Sequence, residues 1–290
     1  MSRLGIFVDR KTLSSAEQLN ALIHCRDVAE KMGHTAEFIF PVDIRKIPMM
    51  DALFIRARTD PLNVTYVASR MAESHNIPVI DDPSSIQICS DKINMYSHLL
   101  KNGVSLPQTL FISKRDLTLA RVREIFDEIG SPLILKEPST SFSLRVEKVT
   151  DTGEFMQVAR RFIRLSDWIV VQQFVESKYD WRVGTLNGEL VYVCKYTIPD
   201  ATFKIQDSVN GHVVYCTVES IPKEQAPPQV IQAGIDAARA IGKGLYGVDL
   251  KTSNGDCYVI EVNDNPSLEG GEDGYYPDVY NKIINHLLEA

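Results

Sequence analysis

Residues Tyr246–Pro266 read YGVDLKTSNGDCYVIEVNDNP: two β-branched and aromatic runs, LYGVDL and CYVIEV, separated by Thr252, Ser253, Asn254, Gly255 and Asp256. Such runs around an Asn-Gly pair predict a β-hairpin. Side chains alternate along a strand, so Glu261 and Asn263 share one face and Ile260 and Val262 the other. The second face suits a core. The first does not unless something compensates the charge, because a buried carboxylate without a partner is strongly destabilising or protonates.

Loop length decides whether Asp249 joins them. A two-residue Asn254-Gly255 turn directs Asp249 away from Glu261. A three-residue Ser253-Asn254-Gly255 loop, with glycine left-handed, gathers Asp249, Glu261 and Asn263 on one face, and that loop is the expectation here. Three oxygen donors on a rigid hairpin suit Mg²⁺, which takes few protein ligands and completes its shell with water and phosphate oxygens. The alternative is an exposed strand face with salt bridges; the neutral amide of Asn263 beside a carboxylate favours the metal.

With 290 residues, 44% of them hydrophobic, the chain can form one large domain or two to three small ones. No segment approaches a membrane-spanning apolar run, and MSRLGIFVDRK goes straight into a strand-like stretch, which predicts a cytoplasmic protein and no membrane partner. The five cysteines are odd in number and never spaced as CxxC, so they read as reduced small hydrophobes. A net charge of −7 argues against nucleic acid as the main partner. Oligomeric state leaves no mark in the sequence.

The first eighty residues alternate in type: LGIFVD, a helix from Glu17 to Met32, AEFIF, ALFIRAR, a helix from Asn63 to His75, then IPVID. That order predicts an α/β fold with a parallel sheet, which binds ligands beyond the carboxyl ends of its strands. Arg56 and Arg58 stand at one such end. Arg56 is the candidate for a substrate carboxylate, which its planar fork can grip by both oxygens, while Arg58 is as readily a surface partner of Asp60. Pro83 marks the expected domain boundary. Beyond it come a helix with Lys92 near its start, the strand TLFIS, a helix from Leu117 to Ile129, PLILKEP, VEKVT, a helix from Gly153 to Arg164 and WIVVQQFVE. The remainder is more antiparallel, with WRVGTL and LVYVCKYTI joined by Asn187-Gly188, a hairpin signal. A helix from Gln229 to Gly242 precedes the opening hairpin, and a last helix follows it.

Lys136 ends the apolar strand LILK just before Ser139, Thr140, Ser141 and Ser143, whose backbone N–H groups could fold over a phosphate, with Arg145 adding charge. A snorkelling surface lysine is the plain alternative. Neither GxxxxGK[ST] nor GxGxxG occurs, so a nucleotide site here would be of another kind. In VVQQFVE, backbone groups at Gln173 to Val175 could meet an adenine edge, with Phe174 or Val175 against its face.

Taken together these segments resemble the ATP-grasp enzymes, and within them the glutamate ligase (RimK) and glutathione synthetase type. The resemblance implies an ATP-grasp fold, α/β and becoming α+β in its C-terminal part, over residues 84–290. Residues 1–83 would form a small Rossmann-like domain before it, residues about 105–175 a lid and about 176–290 the catalytic part. It implies that Lys92 and Lys136 meet ATP, that Ser143 belongs to the phosphate-covering loop, and that Gln173, Phe174 and Val175 form the adenine hinge. In YDWRVGTLNGELVYVCKYTIP it puts a ribose-side acid at Asp180, an arginine near the reacting centre at Arg182 and a phosphate-side lysine at Lys195. Arg182 would also hold a substrate carboxylate. YGVDL and EVNDNP match the magnesium motif at Asp249, Glu261 and Asn263; two Mg²⁺ ions, or Mn²⁺, would sit there. The chain departs from the family in SFSLRV, where Leu144 and Arg145 replace an arginine and a glycine, which restricts the loop to φ < 0 unless strained. The activity implied is amide or peptide bond formation through an acyl phosphate on an amino-acid, peptide or protein carboxylate. The rivals are a nucleotide-binding module with little turnover, and an enzyme with a thiol or phosphorylated acceptor.

Overall fold

A computed structural model describes residues 1–140, 143–199, 203, 206–209, 212–269 and 271–289, with backbone alone at 206–209 and 212–215. Strands β1 (Arg3–Phe7), β2 (Thr35–Ile39), β3 (Ala52–Ile55) and β4 (Val79–Ile80) form a parallel sheet in the order β2-β1-β3-β4. All four residues of β3 are buried, as a parallel strand covered on both faces requires. Helix α1 (Ala16–Lys31) starts at Ser15, whose side chain accepts from the Gln18 N–H, and α2 (Val64–Ser74) starts at Asn63, which accepts from Thr65. The segment between β2 and β3, unassigned in the sequence, forms 3-10 turns over Pro41–Met49.

Pro83 opens α3 (Pro83–Cys89), with Asp82 as its cap, and α4 (Lys92–Lys101) follows at once, capped by Asp91. Next comes a sheet of β5 (Thr109–Ser113), β6 (Leu133–Lys136), β7 (Val146–Val149) and β8 (Trp168–Gln173), in the order β5-β8-β6-β7. Every pair in it is antiparallel, so that character begins earlier than the sequence suggests. Helices α5 (Leu119–Ile129) and α6 (Thr152–Phe162) cover one face, where Leu133, Leu135, Ile169 and Val171 meet Val122, Ile125, Phe155 and Phe162. The alternate residues Ile134, Lys136 and Gln172 point into a cleft on the other face.

The third sheet joins β9 (Tyr179–Leu186), β10 (Glu189–Thr197), β13 (Thr217–Ser220), β14 (Leu245–Ser253) and β15 (Asp256–Asn263) in the order β13-β10-β9-β14-β15. A separate hairpin, β11 (Gln206–Val209) with β12 (His212–Tyr215), lies between β10 and β13 in the chain. Asn187 and Gly188, both at positive φ, make the β9–β10 turn. Trp181, Val183, Tyr246, Val248 and Leu250 face α7 (Pro228–Ile241) and α4. At one end of the opposite face, Leu186, Tyr192, Cys194 and Leu245 pack into the same cluster as α1, β1, β3 and α8 (Val279–Leu288). The other end of that face carries the charges. All five cysteines are free thiols, and among the described residues no helix is long and apolar enough to cross a membrane.

The β14–β15 turn corrects the expected loop. Ser253 lies opposite Asp256, so the turn has two residues, Asn254 and Gly255, at φ of 52° and 89°. That register alone would separate Asp249 from Glu261. A β-bulge reverses it: Leu250 pairs with Val259, Asp249 pairs with Glu261, and Ile260 is the extra residue. Asp249 and Glu261 therefore share a face, reached by another route. The bulge also breaks the alternation, so Ile260 lines the cleft beside Glu261 instead of joining Val259 and Val262 in the core.

Candidate active site

A cavity of about 740 Å³ separates the cleft faces of the second and third sheets. Nine of the residues singled out in the sequence line it. Lys136, Gln173, Phe174 and Val175 come from or just beyond the second sheet, Asp180, Asp249 and Glu261 from the third, Lys92 from the start of α4 and Ser143 from the loop after β6.

Lys136 is 6% exposed, and its ammonium donates to the Tyr96 hydroxyl and the Gln172 side-chain oxygen, each at 2.7 Å. Burial pushes its pKa down to about 7, against the pull of Glu261. It is a cation held deep in the cavity, not a snorkelling surface residue. Lys92 donates to the Thr140 carbonyl and lies 3.5 Å from the Glu261 carboxylate. Its backbone N–H also bonds the Pro138 carbonyl at 3.0 Å, so α4 anchors the loop after β6. Within that loop Ser143 and Arg145 adopt φ of 54° and 53°. The strained alternative to glycine is thus the one realised, at roughly 1–2 kcal/mol per residue. Arg145 lies 3.7 Å from Glu137, and the Arg145 carbonyl accepts from the Glu137 N–H at 3.1 Å. Ser141 lies outside the described residues.

At the hinge, the Gln173 N–H bonds Gln108 and the Phe174 N–H bonds Pro132, which leaves Val175 as the hinge residue whose N–H has no backbone partner among the described residues. Phe174 meets Phe203 edge to face, at 6.2 Å between ring centroids, and Lys148 lies over both rings. Phe203 was not foreseen, because the sequence around it carries no periodic pattern.

On the third sheet Asp180, Arg182, Asp249 and Lys251 share the cleft face. Arg182 grips Asp249 with two bonds, Nε to Oδ1 at 2.7 Å and Nη2 to Oδ2 at 2.9 Å. Burial opposes its charge, but the Asp249 carboxylate outweighs that and holds its pKa above the ordinary arginine value. Asp180 is paired with Lys251, and burial raises its pKa despite that lysine. Lys251 was missed, although simple alternation from Asp249 reaches it.

Lys195 is corrected. It lies opposite Trp181 in the β9–β10 ladder, so it leaves the sheet on the face away from Arg182 and Asp249, over the rings of Tyr179 and Trp181. One position along β10 reverses the face. Tyr196 is the residue beside Arg182, with ring centroid and guanidinium 4.7 Å apart.

Asn263 lies opposite Gly247, and its Nδ2 donates to the Gly247 carbonyl and to Asp249 Oδ2, both at 3.2 Å. Its side-chain oxygen is therefore the atom available to a cation. Among the described residues no three His, Cys, Asp or Glu side chains gather to hold a metal. Two carboxylates and an amide do meet, at an open cavity where phosphate oxygens could complete a hard-cation shell. Like charges directly opposed on a sheet repel, and Arg182 and Lys92 now balance the pair. The donor set fits magnesium.

Arg56 sits apart from this cavity. Its guanidinium crosses to the chain after β15, bonding Asn265, the Pro266 carbonyl at 3.0 Å and Glu269 at 3.5 Å, and it lines a second cavity of about 300 Å³ with Thr12, Gln18 and Tyr280. Arg58 is exposed and 4.0 Å from Asp60, the surface alternative.

Residues 89–287 match the model of the RimK-like ATP-grasp domain. The chain is 25% identical, over 95% of both chains, to a protein of Shewanella denitrificans named probable alpha-L-glutamate ligase 1. It is 26% identical, over 75% of this chain and 69% of the relative, to a probable alpha-L-glutamate ligase of Syntrophotalea carbinolica. Its fold resembles that of D-alanine–D-alanine ligase from Bacillus anthracis, with a TM-score of 0.74 at 18% identity over 100% of this chain and 98% of the other. It also resembles a RimK domain ATP-grasp protein from Sphaerobacter thermophilus, with a TM-score of 0.70 at 18% identity over 99% and 100%. With that match extending over most of its length, the chain belongs to the RimK-like ATP-grasp family and is a ligase of that type.

Proposed function

We propose that the protein forms an amide or peptide bond by activating a carboxylate with ATP, on an amino acid, a peptide or a protein. The observation that carries this reading is one cavity walled on one side by Lys136 and Lys92 and on the other by Asp249, Glu261 and the adjoining Asn263. Cations that meet phosphates face oxygen donors that meet a metal.

A carboxylate does not react with amines in water. In the proposed sequence its oxygen attacks the terminal phosphorus of ATP and ADP leaves, giving an acyl phosphate; an amine nitrogen then attacks the acyl carbon, phosphate leaves and the nitrogen sheds a proton. Lys136 and Lys92 hold phosphate oxygens, and Arg182 steadies charge at the reacting centre. Asp249, Glu261 and Asn263 would hold magnesium, or manganese, as one or two ions that neutralise phosphate charge when bound. Phe174, Val175 and Phe203 give the apolar end that suits a purine, and Asp180 its ribose side. Residues 1–83 would serve as the substrate wall, with the ATP-grasp domain in 84–290, its lid about 105–175 and its catalytic part about 176–290. Arg56 and Glu269, side by side, offer one charge of each sign, the pattern for an α-amino acid or a peptide end.

A nucleotide-binding module with little turnover is favoured by one feature, the left-handed Arg145 where the family carries glycine. ADP release, assayed with pools of amino acids and short peptides and with glutamate offered first in view of the relatives' names, separates the two. Release that depends on both a carboxylate and an amine supports the ligase; ATP binding without release under any pool would sink it.

A further inference from the structure

Tyr96 lies in α4 with its ring fully buried among residues that pack against the third sheet. A phenylalanine would fill that core. The hydroxyl is there for other reasons: it has one proton to donate and lone pairs to accept with. The proton goes to the carbonyl of Ile260 at 2.8 Å, the bulged residue that has no partner on β14. A lone pair receives the Lys136 ammonium at 2.7 Å. Lys136 also donates to Gln172, whose amide donates to Thr109 at 2.9 Å. A continuous set of hydrogen bonds thus runs from the bulge beside Glu261, through α4, to β6, β8 and β5 of the second sheet. The two walls of the cavity belong to different sheets, and this hydroxyl ties the cation on one wall to the carboxylate hairpin on the other.

We propose that Tyr96 is a positioning residue for the nucleotide: its hydroxyl fixes Lys136 at a set place relative to Glu261, so that the cation and the carboxylates meet one phosphate chain together. This rests on the reading of Lys136 as a phosphate ligand. The physical basis is preorganisation. Lysine is flexible, and an ammonium already held by two acceptors loses less freedom when it takes a third, on the ligand. Because the Tyr96 proton goes to a backbone carbonyl freed by the bulge, the position of Lys136 follows the geometry that turns Glu261 into the cleft.

The test is a double-mutant cycle on the full chain, with Mg²⁺-ATP dissociation constants followed by calorimetry to millimolar nucleotide and folding checked by circular dichroism. Tyr96→Phe should weaken ATP binding about tenfold in the wild-type background, in line with a lost hydrogen bond to a charged group. It should weaken binding less than twofold in a Lys136→Met background. If Tyr96→Phe does not fold, Tyr96→Met removes the same hydroxyl with a flexible side chain. Wild-type affinity in the single variant, or an equal loss in both backgrounds, would overturn the role of Tyr96. Unchanged affinity in Lys136→Met alone, or no ATP binding by the wild type, would instead refute the phosphate site itself.

Discussion

Arg182 and Asp249, directly opposed on β9 and β14, are joined by two parallel hydrogen bonds, and their side chains are only 11% and 6% exposed. A cation bound through Asp249 must share or loosen that pair. Removing the arginine should therefore make Asp249 depend on metal. Arg182→Ala is expected to lose about 3–5 kcal/mol of stability without metal, the usual penalty for stranding one partner of a buried pair. Added Mg²⁺ should raise its thermal midpoint more than that of the wild type. Calorimetric scans with Mg²⁺ and with a chelator make the comparison; equal shifts in the two proteins would remove Asp249 from the metal site.

The two lysines of the third sheet should behave oppositely. Lys195 leaves the sheet on the face away from the cavity, so Lys195→Met should keep ATP affinity within about twofold. Lys251 lines the cavity and holds Asp180, so Lys251→Met should weaken ATP binding about tenfold and destabilise the fold. The reverse pattern in binding titrations would restore Lys195 to the phosphate site.

Hairpin, acids and lysine-ending strand were all legible in the sequence because each depends on local pattern. Parity was not. Asn254-Gly255 is the signature of a two-residue turn, and that turn is found; what gathers Asp249 with Glu261 is the bulge at Ile260, which no residue type near it announces. Lys195 shows the same sensitivity from the other side, since a motif match displaced by one residue on β10 selects the wrong face. Tyr96 was out of reach for another reason. Its partners are 40 and 164 residues away, and nothing in a helical pattern says which buried tyrosine ends at a lysine.

The pH dependence of nucleotide binding should carry the mark of Lys136. Burial brings its pKa down to about 7, with Glu261 and Asp180 favouring the charged form and Lys92 and Lys251 opposing it. The ammonium is charged below that value and neutral above it, so Mg²⁺-ATP affinity should fall by about tenfold between pH 6 and pH 9, about 1.4 kcal/mol. In Lys136→Arg the slope should flatten, because guanidinium stays charged throughout. A wild-type affinity that rises with pH would show that this lysine does not meet the phosphates as a cation.

Arg145 is held at φ of 53°, where glycine carries no steric penalty. Arg145→Gly should relieve roughly 1 kcal/mol of strain, partly offset by a more flexible unfolded chain, so the thermal midpoint should stay level or rise slightly. The loop should close more readily, and steady-state ADP formation should increase severalfold. Slower turnover with unchanged stability would mean that the Arg145 charge, not backbone freedom, is what the loop contributes.

Arg56→Lys keeps a charge but loses the fork that reaches Asn265, Pro266 and Glu269 together. It should lower kcat/KM for the accepted amino acid or peptide while leaving ATP affinity unchanged. Weaker ATP binding with normal substrate kinetics would move Arg56 from substrate recognition to the support of the Asn263–Glu269 segment.

Residues 279–288 of α8 fill the same apolar cluster as Leu4, Ile6 and Phe54 of the first sheet, with Leu186 and Tyr192 of the third between them in sequence. During translation the amino-terminal strands and α1, which joins the same cluster, are made first, yet the part of that face beneath α8 stays uncovered until residues 279–288 have left the ribosome. Maturation cannot then proceed strictly from the amino terminus onward. The early strands must wait, exposed to chaperones and to one another, for a helix that arrives late.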